Sequence, residues 1–247
     1  MSTPPPPELA ALLHRLEPVE GWLSDDQAQR LWERARALPA GATVVEIGSY
    51  RGRSAIVLAS AAPSATVVAI DPHAGNDREP IVVHGSADDG EADHQAFLAN
   101  VAAAGVEVRH VRKFSHDAVD DVGSIDLLYI DGAHGVGPAR RDLLDWTAKV
   151  PDGGTVLVHD AFSSIGVTLA LLTTTFFGPR LRYVGRSRSL VELRCQPLSG
   201  PQRAANALRQ AAQLPWFARN VVIKALIVAR LAPVARLLGH RGSTWPF

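Results

Sequence analysis

The sequence predicts an α/β fold with a mostly parallel sheet covered by helices on both faces. Three observations predict it. Short apolar runs alternate with helical stretches along most of the 247 residues, the pattern of strands linked by crossover helices. The first run feeds a helix through a glycine turn, Val44-Val45-Glu46-Ile47-Gly48-Ser49-Tyr50-Arg51-Gly52-Arg53-Ser54. Apolar residues make up 47% and charged residues 20%, which suits a globular chain with a sizeable core.

In chain order, Met1-Ser2-Thr3-Pro4-Pro5-Pro6-Pro7 has neither the basic region nor the apolar core of a signal peptide and reads as a short, stiff lead. Helical patterns follow over Glu8–Leu16 and Asp25–Leu38. Ser24 with Asp25, Asp26 and Gln27 starts the second, and Pro39 and Gly41 stop it. Strand-like runs then appear at Thr43–Ile47, Thr66–Ile70, Val106–Val111, Ile125–Ile130, Thr155–His159, Leu181–Val184 and Leu190–Leu193. Helices are expected between them at Gly52–Ala61, His94–Ala104, Pro138–Lys149 and Val167–Phe177. The short Gly185–Ser189 link makes the last two strands a hairpin at one edge. Asp71 to Asp93 is polar, with Gly75, Gly85 and Gly90, and reads as a long functional loop. Arg180, Arg182, Arg186 and Arg188 read as a solvated sheet edge that blocks strand pairing.

The expected organisation is residues 1–40 as lead and helices, 41–195 as the central domain, and 196–247 as a helical tail. Leu214–Leu238 is strongly apolar, with Arg219, Lys224, Arg230 and Arg236 spread along it and Pro233 breaking it. No uncharged apolar run of about 18 residues exists, so a spanning helix is not expected. Two readings stand: a helix packed on the domain or a second subunit, or an interface-lying helix with Trp216, Phe217 and Trp245-Pro246-Phe247 at headgroup level.

Lys+Arg and Asp+Glu both number 25, so no basic field recruits nucleic acid. The single Cys195 excludes an internal disulfide and fits a reducing cytoplasm. His84, His94 and His110 lack zinc-ligand spacing, and no Gly-x-Ser-x-Gly elbow marks a hydrolase.

The chemistry gathers at strand ends. The glycine turn is not a dinucleotide fingerprint, because Tyr50 stands where the second glycine belongs. It is not a phosphate loop, because Arg53 stands where that motif has Lys. What remains, Glu46 at a strand end followed by Gly48-x-x-x-Gly52, resembles motif I of class I S-adenosylmethionine (SAM) dependent methyltransferases. SAM is cationic at sulfur and carries no phosphate, so a carboxylate near the turn suits it. Asp71, in Asp71-Pro72-His73, lies about 20 residues on at the next strand's end, where an acid accepts hydrogen bonds from ribose; a turn cap is the alternative. Glu46, Gly48, Ser49, Tyr50, Gly52, Ser54, Asp71, His73, Ser115 and Asp131 are the cofactor-binding candidates. Ser115-His116-Asp117 follows the third strand, where this fold contacts adenine through Ser115 or His116; a loop cap is the alternative. Asp131 ends the fourth strand with His134 three residues on, and Asp160 ends the fifth. Two such carboxylates on one rim repel unless one protonates or a cation bridges them, and oxygen ligands suit Mg²⁺ or Mn²⁺. The alternative is that Asp160 caps the following helix and Asp131 meets only the cofactor.

Asp131-Gly132-Ala133-His134, Asp142 with Trp146, and Pro151-Asp152-Gly153-Gly154 leading to His159-Asp160 are similar to the metal-dependent O-methyltransferases that act on sugar hydroxyls in macrolide and polysaccharide biosynthesis. The resemblance covers about residues 41–195. It implies a Rossmann-like seven-stranded sheet of order 3-2-1-4-5-7-6, SAM as methyl donor, Mg²⁺ on Asp131 and Asp160, His134 as base, and a small-molecule or glycan acceptor. The chain departs from the family where two adjacent ligands such as Asp-Asn are usual and His159-Asp160 stands instead. The tail implies peripheral contact with the inner membrane face or a homodimer. Alternatives remain: a metal-independent methyltransferase on another small molecule, a fold-related hydroxylase using iron and 2-oxoglutarate, an NAD dehydrogenase disfavoured by the glycine spacing, and a non-catalytic docking protein.

Overall fold

The protein is described by a computed structural model over residues 4–75 and 87–240. Its strands are β1 (Thr43–Ile47), β2 (Thr66–Ile70), β3 (Arg109–Val111), β4 (Leu127–Ile130), β5 (Thr155–Val158), β6 (Leu181–Ser187) and β7 (Leu190–Cys195). They form one seven-stranded sheet of order β3-β2-β1-β4-β5-β7-β6, as the family resemblance implies. β1 to β5 run parallel, and β7 is antiparallel to both β5 and β6.

The helices are α1 (Pro7–Arg15), α2 (Asp25–Arg36), α3 (Arg53–Ala61), α4 (Ala87–Ala104), α5 (Val136–Thr147), α6 (Ile165–Thr174), α7 (Gly200–Ala211), α8 (Leu214–Val228) and α9 (Ala232–Ala235). Strands covered on both faces need apolar residues at nearly every position, which is why the inner strands read as continuous runs. Val45, Ile47, Leu128, Ile130, Val156 and Val158 pack toward α5 and α6. The alternate positions Val44, Leu127, Tyr129 and Leu157 pack toward α1, α2 and α3. Glu46 shares the parity of Val44 and Tyr129, so a carboxyl enters this second layer.

Several expectations are corrected. The third strand shortens to Arg109–Val111. The polar stretch from Asp71 is not loop throughout, because α4 begins at Ala87 with Asp88 and Asp89 in its first turn. Those acids face the positive end of the helix dipole, a stabilising placement that a loop reading overlooks. Gly90 lies in this helix, against the backbone of His73, where a Cβ would collide with the His73 carbonyl oxygen. Gly85 and His84 lie outside the described residues.

The tail breaks earlier than Pro233. α8 ends at Val228, Arg230 takes a left-handed φ of 59°, and Pro233 sits in the first turn of α9. Trp216 and Phe217 pack against the α5/α6 core instead of facing outward; Trp245, Pro246 and Phe247 lie outside the described residues.

Three of the four arginines near β6, Arg180, Arg186 and Arg188, are engaged rather than merely solvated. Arg186 donates to Gln213 at 2.8 Å and lies 3.9 Å over the Trp216 ring. Arg188 pairs with Asp26 of α2 at 3.1 Å, and Arg180 donates to the Val150 carbonyl at 2.6 Å. This edge is closed by packing elements, so its cations tie helices to the sheet.

Candidate active site

The C-terminal ends of β1, β2, β4 and β5 form one rim, and parallel register decides what meets there. Glu46 pairs with Tyr129, and Tyr129 with Leu157. Two residues on, at the end of each ladder, Gly48, Asp131 and His159 come alongside one another. Backbone bonds carry the ladder past the strand ends: Asp131 N–H donates to the Ile47 carbonyl at 2.8 Å, and His159 N–H to Ile130 at 2.9 Å.

The β1 turn is built for close approach. Gly48 has φ 83° and Gly52 φ 88°, conformations open to glycine. A Cβ on Gly48 would collide with the Asp131 carbonyl oxygen, so glycine lets the β1 and β4 ends touch. Tyr50, between them, also takes a positive φ of 45°. Asp71 fixes this turn. Its Oδ2 accepts from the Ser49 N–H at 2.9 Å and the Tyr50 N–H at 2.8 Å, while Oδ1 accepts from the His73 N–H at 2.8 Å. A carboxylate offers about four acceptor positions, so roughly one stays open to a ribose hydroxyl.

Glu46 is fully buried behind the turn, and its carboxylate oxygens have only the poorly aligned Ser54 and Ser49 hydroxyls beside them. Burial pushes its carboxyl up to about 8; Asp131 and Asp71 add to the rise, and the Ser54 and Ser49 hydroxyls oppose it. A buried, under-satisfied acid beside a glycine turn fits a site that receives a cationic cofactor.

Around Asp131 a chain of acids and imidazoles forms. The Tyr129 hydroxyl donates to Asp131 Oδ2 at 2.8 Å. His159 Nδ1 lies 3.0 Å from Asp131 Oδ1 and 3.5 Å from Asp160 Oδ2, and His134 Nε2 lies 3.0 Å from Asp160 Oδ2. Asp160 reaches the rim because its backbone is left-handed, φ 53°, which turns the residue out of the strand's alternation. Burial disfavours the charged His159, but Asp131 and Asp160 outweigh it and hold the imidazole well above its usual range. Burial likewise raises Asp160, yet His159 and His134 hold it well below the usual carboxylate range.

Ligand atoms of Asp131, His134 and Asp160 lie within 4.8 Å of one another, the one such trio among the described residues. Two carboxylate oxygens and one imidazole nitrogen are donors that suit a divalent cation with open positions. A cleft lined by Asp131, His134, His159, Ile130, Val158 and Val167 opens beside them.

Other candidates have local partners. The Ser115 hydroxyl donates to Asp142 Oδ1 at 2.5 Å, and burial pushes the Asp142 carboxyl up to about 6, with Ser115 opposing. The His73 ring is buried at about 5 Å from the His94 and His110 rings, beside Phe97, while His73 N–H serves Asp71. Ser54 is buried in the first turn of α3.

Sequence reasoning missed two contributors. His159 stands directly between the two carboxylates, a placement that strand register dictates. The segment after α1 also covers the turn. Trp22 packs on Tyr50 with ring centroids 5.3 Å apart, Arg51 pairs with Glu20, and Arg53 donates to the Leu16 and Val19 carbonyls at 2.9 Å. Aromatic Trp22 next to Gly21 was the available signal.

Residues 45–161, which hold the cluster and the turn apart from Trp22, match the family described as Methyltransferase domain. Among solved structures, cofactor-bound Rv0187 from MTB is 20% identical, with a TM-score of 0.58 over 78% of this chain and 91% of that one. An O-methyltransferase from Bacillus cereus in complex with SAH is 14% identical, with a TM-score of 0.55 over 77% and 92%. A putative O-methyltransferase from Klebsiella pneumoniae is 18% identical, with a TM-score of 0.55 over 78% and 91%. At these identities the structural likeness is one of architecture, and the chain has the Rossmann-like methyltransferase fold.

Proposed function

We propose that the protein is a SAM-dependent O-methyltransferase acting on a hydroxyl of a sugar or glycan, with a divalent cation such as Mg²⁺ at Asp131 and Asp160. The observation that carries this reading is the convergence of Asp131, His134 and Asp160 beside the Gly48–Gly52 turn. The Bacillus and Klebsiella structures that the chain resembles in architecture are described as O-methyltransferases. The sugar acceptor rests on the resemblance of the motifs at Asp131–His134 and Pro151–Asp160.

Bound SAM supplies an activated methyl group, and a bound cation lowers the pKa of the acceptor hydroxyl. The chain's own residues do the rest. The glycine turn provides a backbone-lined pocket for the donor, with Glu46 behind it as a buried acid that a neighbouring cation would help to ionise. Asp160, 3.0 Å from His134 Nε2, orients the imidazole. His134 would accept the proton from the acceptor hydroxyl, and the methyl group would be supplied by SAM held at the glycine turn. Positioning the oxygen in line is the larger contribution, because the leaving group is already good.

A second reading has its own observation. The His159 imidazolium lies between Asp131 and Asp160 and supplies the charge compensation a cation would. In that reading transfer proceeds without metal, and the Asp160–His134 pair acts alone.

The test is methyl transfer from labelled SAM to a panel of sugars and glycans, with Mg²⁺ and with chelator. His134→Ala is expected to lower kcat by about 10²-fold or more. Wild-type activity in that variant removes the base assignment. Activity untouched by chelator selects the metal-independent reading.

A further inference from the structure

We propose that α8 and α9 form a docking surface for an anionic lipid bilayer, lying in its interface plane. The exposed positions of α8, Pro215, Ala218, Val222, Ala225 and Val228, recur at three- and four-residue spacing along one side of the helix. Every one of them is apolar, whereas the opposite side is filled: Asn220 and Ile223 are buried and Trp216 and Phe217 meet the core. A helix whose inner side is already packed has no fold-level use for an apolar outer stripe.

The apolar surface continues past α8. Leu231, Val234 and Leu237 are exposed, Leu237 at 86%. Arg219 Nε donates to the Leu238 carbonyl at 2.7 Å and ties this return segment to α8.

Charge identifies the occupant. No Asp or Glu follows Glu192, while Arg203, Arg209, Arg219, Lys224, Arg230 and Arg236 all do. The chain's balance of 25 basic and 25 acidic residues therefore conceals a segregation, with a purely cationic tail. A second copy is the poorer partner, because a two-fold interface sets this patch against itself and brings cations to cations. An anionic bilayer supplies both an acyl boundary for the stripe and phosphates for the arginines. Among the described residues no helix is long and apolar enough to cross a membrane, so the contact is peripheral. The inference is independent of the catalytic reading.

The experiment is co-sedimentation of the full chain with vesicles of phosphatidylcholine alone or mixed with phosphatidylglycerol. Binding to the phosphatidylglycerol vesicles is expected to fall as salt rises. Arg230→Gln with Arg236→Gln should weaken it by about tenfold or more. Val222→Asp with Leu237→Asp should abolish it while the thermal midpoint of the free protein stays unchanged, both side chains being exposed. No sedimentation at low salt overturns the proposal, as does binding indifferent to headgroup charge or to all four substitutions. A concentration-dependent dimer dissolved by Val222→Asp, without vesicle binding, assigns the face to a second copy and overturns it too.

Discussion

Glu46 is fully buried, and burial, only partly opposed by the Ser54 and Ser49 hydroxyls, lifts its carboxyl from 4.5 to about 8. The folded state therefore binds a proton that the unfolded chain has released between those values. Stability should fall as pH rises through that window, with a slope of at most about 1.4 kcal/mol per pH unit. Denaturant unfolding at pH 5 and pH 8 checks this, and Glu46→Gln should flatten the dependence and be the more stable protein at the upper end. His159 behaves differently. Its raised value means its contribution is complete below 6.5 and is lost as pH climbs through the folded value. The Asp160 contribution is complete above 3.8 and is lost as pH falls through its lowered value. His159→Ala leaves two carboxylates facing each other and should cost about 2–3 kcal/mol near neutrality, discounted for their partial exposure. If the cluster takes a divalent cation, Mg²⁺ should restore part of the variant's thermal midpoint; no response to Mg²⁺ would count against the cation. The sequence disclosed the acids but not this pairing. Asp160 was legible as a strand-end acid, whereas its left-handed backbone and the register opposite His159 depend on three-dimensional pairing that no local pattern encodes.

At the scale of the element, the turn between β1 and α3 is held from outside. Asp71, on a neighbouring strand, accepts the Ser49, Tyr50 and His73 amides, so it positions the loop before any ribose arrives. Asp71→Ala should therefore cost about 2–3 kcal/mol in denaturant unfolding, whereas Asp71→Asn, which keeps one acceptor oxygen, should cost less. Equal losses would argue against the turn-holding role. Gly48→Ala should be at least as damaging, since it combines a positive φ with a collision at the Asp131 carbonyl. Most strands were legible because inner parallel strands need unbroken Val, Ile and Leu, as in β1 and β2. β3 was over-read, since Val106 and Val108 pack on the core without joining the ladder. The start of α4 was under-read because Asp88, Asp89 and Gly90 look like loop residues until helix dipole and close packing are weighed.

Across the whole molecule, both ends of the chain bear on the central sheet. α1 and α2 contribute Leu9, Leu12, Leu31 and Trp32 to the same core layer as α3, and the segment after α1 covers the glycine turn. At the other end, Arg186 joins β6 to α8 through Trp216 and Gln213. Arg186→Ala should lower stability by about 1–3 kcal/mol, read as a shift in denaturant midpoint, because it removes a cation–π contact and a hydrogen bond together. These long-range ties were illegible in the sequence, where the arginines near β6 resembled a solvated edge; only the sheet order brings α2 and the tail to them. The same order brings the glycine turn, Glu46 and the Asp131–His134–Asp160 trio to one rim, and that convergence is the basis for reading the protein as a SAM-dependent methyltransferase. Calorimetric titration of SAM into the full chain tests it most directly. The account predicts saturable binding at one site, lost in Gly52→Val, whose Cβ would press on Phe97 from a left-handed backbone. Absence of binding at SAM concentrations of about 1 mM would contradict it.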